Sequence, residues 1–571
     1  MFIKDFGILI LMKRDTINIT EKNRRLILEP FVTSPDDTIY AIKNMPPEVF
    51  GAFGSYFSRN PLDFRVHLVK SIRGTIDGEV IELENKTLLP ESYHWLLNKD
   101  YREPSDAIRE GIEQSQHFFR KWYGKYSHKS IANTVWIPMV ANDVSQLFAR
   151  ELAYDQLAFF IEQSTRFVKM DVNNLFQDAD IIKSGYRGIY LSTLETLAGA
   201  YLRLTDLALE ENKRELPFEK WREMQKENKW EKEMMAKYER EMKGKTLDVT
   251  RFLLPQATRT NIAWILDARS IEFDIAAWKG HPLQELKEDA RLIEKHAGQI
   301  APSLLKYTKR NEYYADNLNG YLGHLRAEPG KGFEKGVDII SCEENALEKA
   351  IAHILKRHNC GGTFRQRFEE VQKMSFCEKI NVLERVVMGR GEHDEWVEMD
   401  EEFDLVKIAF EIRTDVGATR DWRRHQKWDR GESLYSLDNG FHRPYMIDNI
   451  SKEAVSIFNN AMEVAYEAET LIRRDFPYQA QYVIPMAANH AITFSGGLDQ
   501  LQYMLWTRST PQGNFSYRKD AFNVAEAVLK IHPWLLGYKN YPEGRKFEDV
   551  YNNAPLKNLF RLQMGETKLH E

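Results

Sequence analysis

The chain has 571 residues, of which 43% are hydrophobic, 12% aromatic and 29% charged. This composition is typical of a globular enzyme and excludes a disordered or collagen-like chain. The length allows roughly three to four ordinary domains or two large ones. The 79 basic and 85 acidic side chains give a formal charge of −6, which offers no global electrostatic reason to expect nucleic-acid binding. Any site for a phosphate group must therefore be local.

The N-terminal region and the cysteines indicate the cellular compartment in which we expect the protein. The apolar run at 6–12 is too short to cross a bilayer or to form a signal-peptide core. Cys342, Cys360 and Cys377 form neither a disulfide framework nor a C-x-x-C pair, so we expect buried free thiols and no metal site. We therefore expect a cytoplasmic protein without a membrane segment.

Hydrophobic periodicity predicts the elements along the chain. A strand-like run at 135–140 is followed by helical patterns at 191–208 and 283–295. A second strand-like run at 406–412 precedes a helical pattern at 454–472. Because the strand-like runs are fewer and shorter than the helical ones, the sequence predicts an α+β fold that is rich in helix.

Two pairs of segments predict that one structural unit occurs twice. Arg150 and Arg420 are each followed 12 positions later by a glutamate. An apolar run that ends at Pro255 and leads into an amphipathic segment has a counterpart at Pro485. Segments repeated in the same order are the signature of a duplicated unit.

The two units differ in length between these landmarks. Pro255 lies 105 positions after Arg150, whereas Pro485 lies 65 positions after Arg420, a difference of 40. A Lys/Glu-rich stretch of helical composition at about 210–245 accounts for this difference as a charged helical insertion in the first unit. We expect a solvated helical hairpin there, with a partner-binding arm as the alternative.

A segment rich in Pro, Gly and Lys at 327–336 predicts the linker between the units. The predicted organisation is an N-terminal extension, the first unit, the linker, the second unit and a polar C-terminal tail, at 1–32, 33–326, 327–336, 337–541 and 542–571.

The motifs of the first unit resemble those of a known family. HKSIANTVWIPMV, from His128, followed by Arg150 and then EQSTRF, is similar to the signature region of the flavin-dependent thymidylate synthases. That family carries an H-x-S/T-x-x-E box, a strand, and then R-H-R-x-x-S-x-N-E-x-S-x-R. Further on, RFLLP and ILDARS resemble the family's R-x-x-L-P and N-x-R-S. The resemblance implies two tandem units, each with a central, mostly antiparallel sheet flanked by helices.

The two units depart from the family motifs at complementary positions. Where the family has Arg-His-Arg, the first unit has Tyr-Asp-Gln at 154–156, which offers no fixed cation, and the second has Arg424, His425 and Gln426. The later Glu-x-Ser-x-Arg pattern is complete only in the first unit, as Glu162, Ser164 and Arg166.

The late segment repeats this complementarity. Arg251 of the first unit corresponds to Gln481 of the second, whereas Arg508 of the second corresponds to Trp278 of the first. Family sites are assembled from several subunits of a homotetramer. One complete site is therefore expected to combine residues of a first unit with residues of a second, and two chains are expected to form a homodimer that is a pseudo-tetramer.

The resemblance assigns a role to each of these residues. Arg508 is the expected catalytic residue, because its fixed charge would stabilise negative charge on a pyrimidine ring. The expected substrate-binding residues, with arginines that can clamp a nucleotide phosphate, are Glu162, Ser164, Arg166, Arg251 and Arg424. The expected cofactor-binding residues are Arg424, His425, Gln426, His128, Ser130 and Arg269.

By the same resemblance, FAD is the cofactor, with methylene-tetrahydrofolate as carbon donor and NADPH as reductant. Three functions remain open from the sequence. The first is one-carbon transfer to C5 of dUMP or a related pyrimidine nucleotide. The second is a flavoenzyme with a changed substrate, which Asp421 favours because it replaces the glutamine usual in the family. The third is a non-catalytic nucleotide-binding protein whose motifs decayed after duplication. Random decay would not give complementary losses, so the complementarity disfavours this third function.

Overall fold

The structure is a computed structural model that describes residues 28–44, 62–73, 75–76, 79–80, 129–225, 230–316, 333–358, 361–388 and 401–565. Its strands are β1 Ile39–Ala41, β2 Thr75–Ile76, β3 Glu79–Val80, β4 Trp136–Val144, β5 Phe159–Glu162, β6 Thr260–Asp267, β7 Gly336–Cys342, β8 Lys407–Asp415, β9 Asp429–Glu432 and β10 Asn489–Gly497.

Helices make up most of the remaining regular structure. They are α1 Glu29–Phe31, α2 Phe64–Arg73, α3 Gln146–Tyr154, α4 Ala179–Lys183, α5 Arg187–Glu215, α6 Phe218–Glu223, α7 Glu231–Thr250, α8 Ala268–Trp278, α9 Gln284–Ile300, α10 Glu312–Asp316, α11 Ala346–His358, α12 Phe364–Gln372, α13 Phe376–Val386, α14 Val416–Trp422, α15 Met446–Ile450, α16 Lys452–Ile472, α17 Leu498–Arg508, α18 Phe515–Ile531 and α19 Phe547–Asn552. Short 3-10 helices lie at Lys129–Thr134, Arg251–Leu253, Glu401–Leu405, Gln479–Val483 and Pro533–Leu536.

The chain divides into two compact units that do not follow the order of the repeats. The first comprises Met1–Val144, Phe159–Ser164 and Thr260–His324. The second comprises Ser145–Ala158, Thr165–Arg259 and Leu325–Glu571. The second compact unit therefore contains segments of both sequence repeats.

The first compact unit is built on a four-stranded antiparallel sheet in the order β1-β4-β6-β5. Strand β6 is buried along almost its whole length and lies between β4 and β5. Helix α9 packs against β1. Its buried residues Leu286, Ala290, Ile293 and Ala297 recur at helical spacing, which gives the helix one apolar face.

The second compact unit contains a sheet of the same topology, in the order β7-β8-β10-β9. Strands β8 and β10 pair in antiparallel register from Asn489 with Asp415 to Gly497 with Lys407. The rings of Phe410, Trp428 and Phe494 pack together in its core.

The duplication and the α+β fold predicted from the sequence are confirmed. Strand β9 is displaced from β5 by 270 positions at both ends, and helix α17 from α8 by 230 positions at both ends. The two offsets differ by the predicted 40 residues. The strand-like runs overlap β4 and β8, and the three helical patterns overlap α5, α9 and α16 almost completely.

The repeats are joined within the second compact unit by a reciprocal backbone contact. Pro255 forms an antiparallel bridge with Pro485, its counterpart 230 positions later. The flanking amides bond in matched pairs: Gln256 to Ile484 and Met486 to Leu254, both at 3.0 Å, and Ala257 to Tyr482 and Ala487 to Phe252, both at 2.9 Å. Equivalent segments therefore pair about a local two-fold axis.

The region of the charged insertion contains the end of α5, the short α6 and the first part of α7. Trp221, Met234, Tyr238 and Met242 form a small apolar cluster there. The linker predicted at 327–336 lies largely outside the described residues, and β7 begins at its last residue. The division of the chain by sequence repeat stays a prediction.

Two expectations from the sequence are wrong. The segment after 541 is not a polar tail, since Phe547, Tyr551 and Phe560 are buried in the core of the second compact unit. The segment is rich in charged residues, but the apolar side chains between them are spaced so that they pack on that core. Cys342 and Cys377 are exposed rather than buried, and Cys360 lies outside the described residues.

Among the described residues, none of the helices combines the length and the apolar character needed to cross a bilayer.

Candidate functional site

A short buried helix positions the candidate site. Every residue of α14 is buried, and its N-terminus is capped by Asp415, whose carboxylate accepts a 2.8 Å bond from the Ala418 amide. Lys335 holds the same carboxylate at 2.7 Å. The helix ends at Trp422, so that Asp421 lies in its last turn and Arg424 and His425 follow directly.

Asp421 lies among three guanidinium groups. Its carboxylate oxygens are 3.7 Å from Arg424 Nη1 and 3.9 Å from the Nη1 atoms of Arg251 and Arg508. Burial alone would raise the pKa of the Asp421 carboxyl, but these three charges, with that of Arg166, lower it. Asp421 is therefore a buried carboxylate ion held by cations from both repeats.

Arg251 has the least satisfied side chain of this group. It lies where α7 passes into the 3-10 helix Arg251–Leu253, and it is only 2% exposed. Its Nη1 is 3.5 Å from the hydroxyl of Thr165, but its Nε and Nη2 have no hydrogen-bond partner within the described part of the chain. Burial lowers the pKa of Arg251, and Asp421 and Asp248 oppose that shift. A buried cation with unused donors is costly unless an anion or water reaches it.

Arg166 is held next to this group by a fork of bonds. Its guanidinium pairs with the Asp248 carboxylate through Nε and, at 3.0 Å, through Nη2. Nη2 also donates to the carbonyl of Gln512 at 2.8 Å, and Nη1 donates to the Tyr517 hydroxyl at 3.3 Å. The plane of the guanidinium is therefore fixed before any ligand binds.

Arg508 ends helix α17 and is held by His425. The Nε of Arg508 donates to His425 Nε2 at 2.9 Å, and both residues are buried. Burial and the charges of Arg508, Arg430 and Arg424 lower the pKa of His425 well below its ordinary value. Because Nε2 accepts this bond, the neutral imidazole carries its proton on Nδ1. His425 thus orients the Arg508 side chain.

Gln426 contacts the protein backbone instead of this group. Its amide donates to the carbonyl of Ala158, and to that of Asp155 at 3.4 Å. Gln156, its counterpart 270 positions earlier, donates to the Trp428 carbonyl at 2.8 Å. The two glutamines join the repeats reciprocally, which gives Gln426 a structural role that the motif did not predict.

Four of the other predicted site residues belong to the first compact unit, and a fifth lies outside the described residues. Glu162 and Ser164 belong to the first compact unit, where Glu162 ends β5 and accepts a 3.4 Å bond from Thr260. Ser130 and Arg269 are exposed in the same unit, on a 3-10 helix and on the first turn of α8. His128 lies outside the described residues. Their assignments stay predictions.

In the second repeat, the residue equivalent to Arg251 is already hydrogen-bonded to other parts of the protein. Gln481 accepts bonds from Arg150 Nη1 at 2.8 Å and from the Tyr435 amide at 3.0 Å, and it donates to the Tyr478 carbonyl at 2.9 Å. Ser436, the counterpart of Arg166, accepts a 2.7 Å bond from Arg473. Internal partners therefore fill the equivalent positions of the second repeat.

A cavity of about 650 Å³ opens at the other end of α17. Its lining is rich in charge and includes His353, Lys356, Arg357, Lys427, Asp404 and Asp499. Lys427 follows Gln426 directly, and Asp499 lies about 14 Å along the helix axis from Arg508. The volume is in the range of small-molecule sites, and the Lys and Arg side chains match the diphosphate of a dinucleotide. The residues present therefore fit a cofactor of that class.

Several of these residues belong to none of the sequence motifs. Asp248 stands three positions before Arg251 on the last turn of α7. This helical spacing was a local signal that the carboxylate lies near the arginine. Tyr517, Lys356 and Arg357 lie outside all the motifs, and only the fold brings them to the site. In the described part of the chain, no group of three or more His, Cys, Asp or Glu side chains is placed to hold a metal ion.

Comparison with known proteins identifies relatives of nearly the whole chain and of part of it. A UPF0159 protein of Chlamydia muridarum is 25% identical over 555 residues, which cover 94% of this chain and 97% of that protein. A UPF0159 protein of Thermoplasma acidophilum is 24% identical over 477 residues, which cover 77% and 93%. A flavin-dependent thymidylate synthase of Clostridium tetani is 23% identical over 242 residues, which cover 42% and 89%.

Two solved structures are similar to part of the chain. One is a UMP/dUMP methylase, PolB, from Streptomyces cacaoi bound with 5-Br dUMP, with 13% identity, a TM-score of 0.26, and coverage of 35% of this chain and 91% of that one. The other is thymidylate synthase X from Helicobacter pylori with FAD and dUMP, with 16% identity, a TM-score of 0.25, and coverage of 34% and 93%.

The model of the family described as thymidylate synthase complementing protein matches residues 86–303 and again residues 346–534. These matches cover well over half of the chain, in the order that the sequence repeats predict. The protein therefore belongs to the thymidylate synthase complementing protein family and carries the family unit twice.

Proposed function

We propose that the chain is an FAD-dependent, thymidylate synthase-like methyltransferase that transfers a one-carbon group to C5 of dUMP or a related pyrimidine nucleotide. Family membership supports this reaction class, and so does the name of the Clostridium tetani relative, a flavin-dependent thymidylate synthase. In this proposal methylene-tetrahydrofolate is the carbon donor, NADPH is the reductant, and the enzyme acts in the cytoplasm as a homodimer.

The observation that carries the proposal is the buried guanidinium of Arg251. Its Nε and Nη2 lack partners among the described residues, and Arg166, Arg424 and Arg508 surround the same Asp421. Such an excess of buried positive charge favours an anionic ligand, and guanidinium forks match phosphate oxygens. A nucleotide monophosphate supplies that anion.

Each residue of the group then has a distinct role. Arg251 and Arg166 bind the 5′-phosphate, and Asp248 fixes the plane of Arg166. Arg508 stabilises the negative charge that develops on the pyrimidine ring, and His425 holds it in one orientation. Because His425 is neutral and accepts a bond from Arg508, it does not compete with Arg508 as a cation.

The cavity at the start of α17 is the proposed cofactor site. Lys356, Arg357 and Lys427 would hold the diphosphate of FAD, next to the segment that carries Arg424 and His425. When bound, FAD supplies the redox chemistry that reduces the transferred carbon unit. The protein contributes binding, orientation and the fixed charge of Arg508.

Asp421 favours a second candidate, a flavoenzyme of the same fold with a changed nucleotide substrate. Its carboxylate is an acceptor-only group at the centre of the cationic cluster. An ionised carboxylate there favours a ligand that offers an additional N–H or O–H donor.

The visible absorption spectrum of the purified protein, with and without added FAD, tests the proposal. We expect flavin bands at near one flavin per chain and a shift of these bands on titration with dUMP. A flavin spectrum that responds to another pyrimidine nucleotide but not to dUMP would favour the changed substrate. Absence of bound flavin at every FAD concentration would remove both enzyme functions.

A further inference from the structure

The proposed cofactor cavity contains two carboxyl groups that a diphosphate site does not need. Asp499 is 5% exposed, and its side chain is in hydrogen-bonding contact with the Asp404 carboxyl. Its Oδ2 accepts a 2.6 Å bond from the Gln500 amide. Asp404 lines the same cavity. Lys407 Nζ pairs with the Asp404 carboxylate at 3.1 Å. A carboxylate would repel a bound diphosphate, so these two acids favour a different part of the ligand.

The backbone just before α17 leaves space for Asp404 close to Asp499. Asp404 lies against Gly497, the first residue before α17, where any side chain would collide with the Asp404 carboxylate and backbone. The equivalent position of the first repeat is Asp267, which caps α8 with its own side chain. In the second repeat glycine removes that cap and leaves room for Asp404.

The charge at the next position is also reversed between the repeats. Asp499 stands 230 positions after Arg269, the arginine that the family resemblance assigns to the cofactor. A cation at this position would serve a phosphate, whereas a carboxylate can only accept hydrogen bonds when it is ionised. Burial raises the pKa of Asp499, and the Asp404 carboxylate adds to that shift. The pair is therefore better suited to ligand hydroxyl groups, which both donate and accept hydrogen bonds, than to phosphate oxygens.

We propose that Asp499, with Asp404 beside it, binds sugar hydroxyl groups of the flavin cofactor, while Lys356, Arg357 and Lys427 bind its diphosphate. This inference rests on the proposed function, because the ligand is the same FAD. It names Asp499 as a specificity-determining residue of the cofactor site. Two sources of hydroxyl groups share this chemistry, the ribose of the adenosine half and the ribityl chain of the flavin half.

The test compares wild type with Asp499→Asn, which keeps the shape and removes the charge. Affinities are measured by quenching of flavin fluorescence for FAD and FMN, and by calorimetry for ADP and inorganic pyrophosphate. We expect Asp499→Asn to weaken FAD about tenfold, the value of a hydrogen bond to a charged group. Pyrophosphate, which has no hydroxyl donors, should bind equally or more tightly once the negative charge is gone.

The remaining ligands separate the two sources. A loss confined to ADP assigns the ribose, and a loss confined to FMN assigns the ribityl chain. Glu548→Gln, the same charge change at an exposed position of α19, is the matched control and should leave all four affinities unchanged. Thermal unfolding of each variant establishes that the fold is intact.

Two results overturn the inference in different ways. If Asp499→Asn binds FAD as tightly as wild type does, the hydroxyl role is wrong while the proposed function stands. The same conclusion follows if the variant's affinity for pyrophosphate falls as much as its affinity for FAD. If wild type binds no flavin, the proposed function fails and this inference fails with it.

Discussion

At the scale of single residues, the candidate site contains hydrogen-bond donors that are unpaired within the described ranges and that favour ligand binding but lower the stability of the fold. Arg251 is a buried cation with two nitrogens that lack partners in the described part of the chain, and Asp421 is 3.9 Å from it, beyond direct hydrogen bonding. Buried charges are normally paired or hydrogen-bonded, because leaving one unsatisfied is costly. The unused donors indicate a group positioned for a ligand rather than for the fold.

This trade-off predicts opposite effects for Arg251→Met. Without ligand, the variant should be more stable than wild type by about 1–3 kcal/mol, because a costly buried charge is replaced by an apolar side chain of similar length. Its affinity for dUMP should fall about 10- to 100-fold. Urea unfolding and calorimetry measure the two effects. Arg545→Ala, at an exposed position, is the control. A variant that loses stability and keeps its affinity would contradict the assignment.

Arg508 predicts a different pattern. Because it is assigned to charge that develops on the ring during reaction, Arg508→Ala should abolish turnover while dUMP affinity changes much less. The His425→Gln variant retains an acceptor near Arg508 Nε and should retain more activity than His425→Phe, which has none. Steady-state kinetics with binding measured in parallel checks both. Unchanged turnover in Arg508→Ala would refute its role.

At this scale, the sequence predicts the charged groups of the site but not the partners that hold them. Arg166, Arg251, Arg424, His425 and Arg508 were predicted as one composite group together with Glu162 and Ser164. The structure places the first five around Asp421, and the roles of all seven stay predictions. Complementary losses made that prediction possible, because each repeat retained the cations that the other lacks. The partners that hold these groups were not predictable, since contacts such as Arg166 with Tyr517 join residues 351 positions apart.

At the scale of elements, equal spacing between the repeats was the most reliable signal. Strands β5 and β9, and helices α8 and α17, match at both ends because each pair has the same place in the same sheet topology. Element ends were less predictable. Helix α5 runs from Arg187 to Glu215, well beyond the apolar pattern at 191–208, because its charged last turns can remain helical in water.

Helix α18 supplies a testable buried acid behind α14. Asp520 accepts bonds from Thr414 at 2.5 Å and from the Trp422 indole at 3.4 Å. Burial raises its pKa to about 7, with Asp415 adding to the shift and Lys335 opposing it. The folded state therefore holds a proton that the unfolded state releases above about pH 4, and this contribution to stability is lost as the pH rises to about 7.

Asp520→Asn should remove that dependence. Relative to the variant, wild type should lose about 1.4 kcal/mol of unfolding free energy per pH unit between about pH 4 and 7, and the difference should level off above that range. Urea unfolding at several pH values measures it, with the exposed Asp549→Asn as control. Parallel pH profiles for Asp520→Asn and wild type would show that Asp520 is ionised throughout.

At the scale of the whole molecule, the compact units differ from the sequence repeats. The second compact unit takes 145–158 and 165–259 from the first repeat and combines them with the whole of the second. No local pattern reports this exchange, because it depends on pairing between segments 230 positions apart, such as Pro255 with Pro485. The sequence predicted that residues of both repeats would share a site, but not that one chain would bring Arg166 and Arg251 to Arg508.

The asymmetry of the two repeats predicts one nucleotide per chain. Arg251 has unused donors, whereas its counterpart Gln481 is fully bonded to Arg150, Tyr435 and Tyr478, and Arg473 bonds to Ser436 at the position equivalent to Arg166. A phosphate at the counterpart would have to break these bonds without gaining a free guanidinium fork. Calorimetric titration with dUMP should therefore saturate at one per chain, and Arg251→Met should weaken that single binding event. Saturation at two per chain would mean that both repeats kept a site, and that the internal bonds of Gln481 yield to ligand.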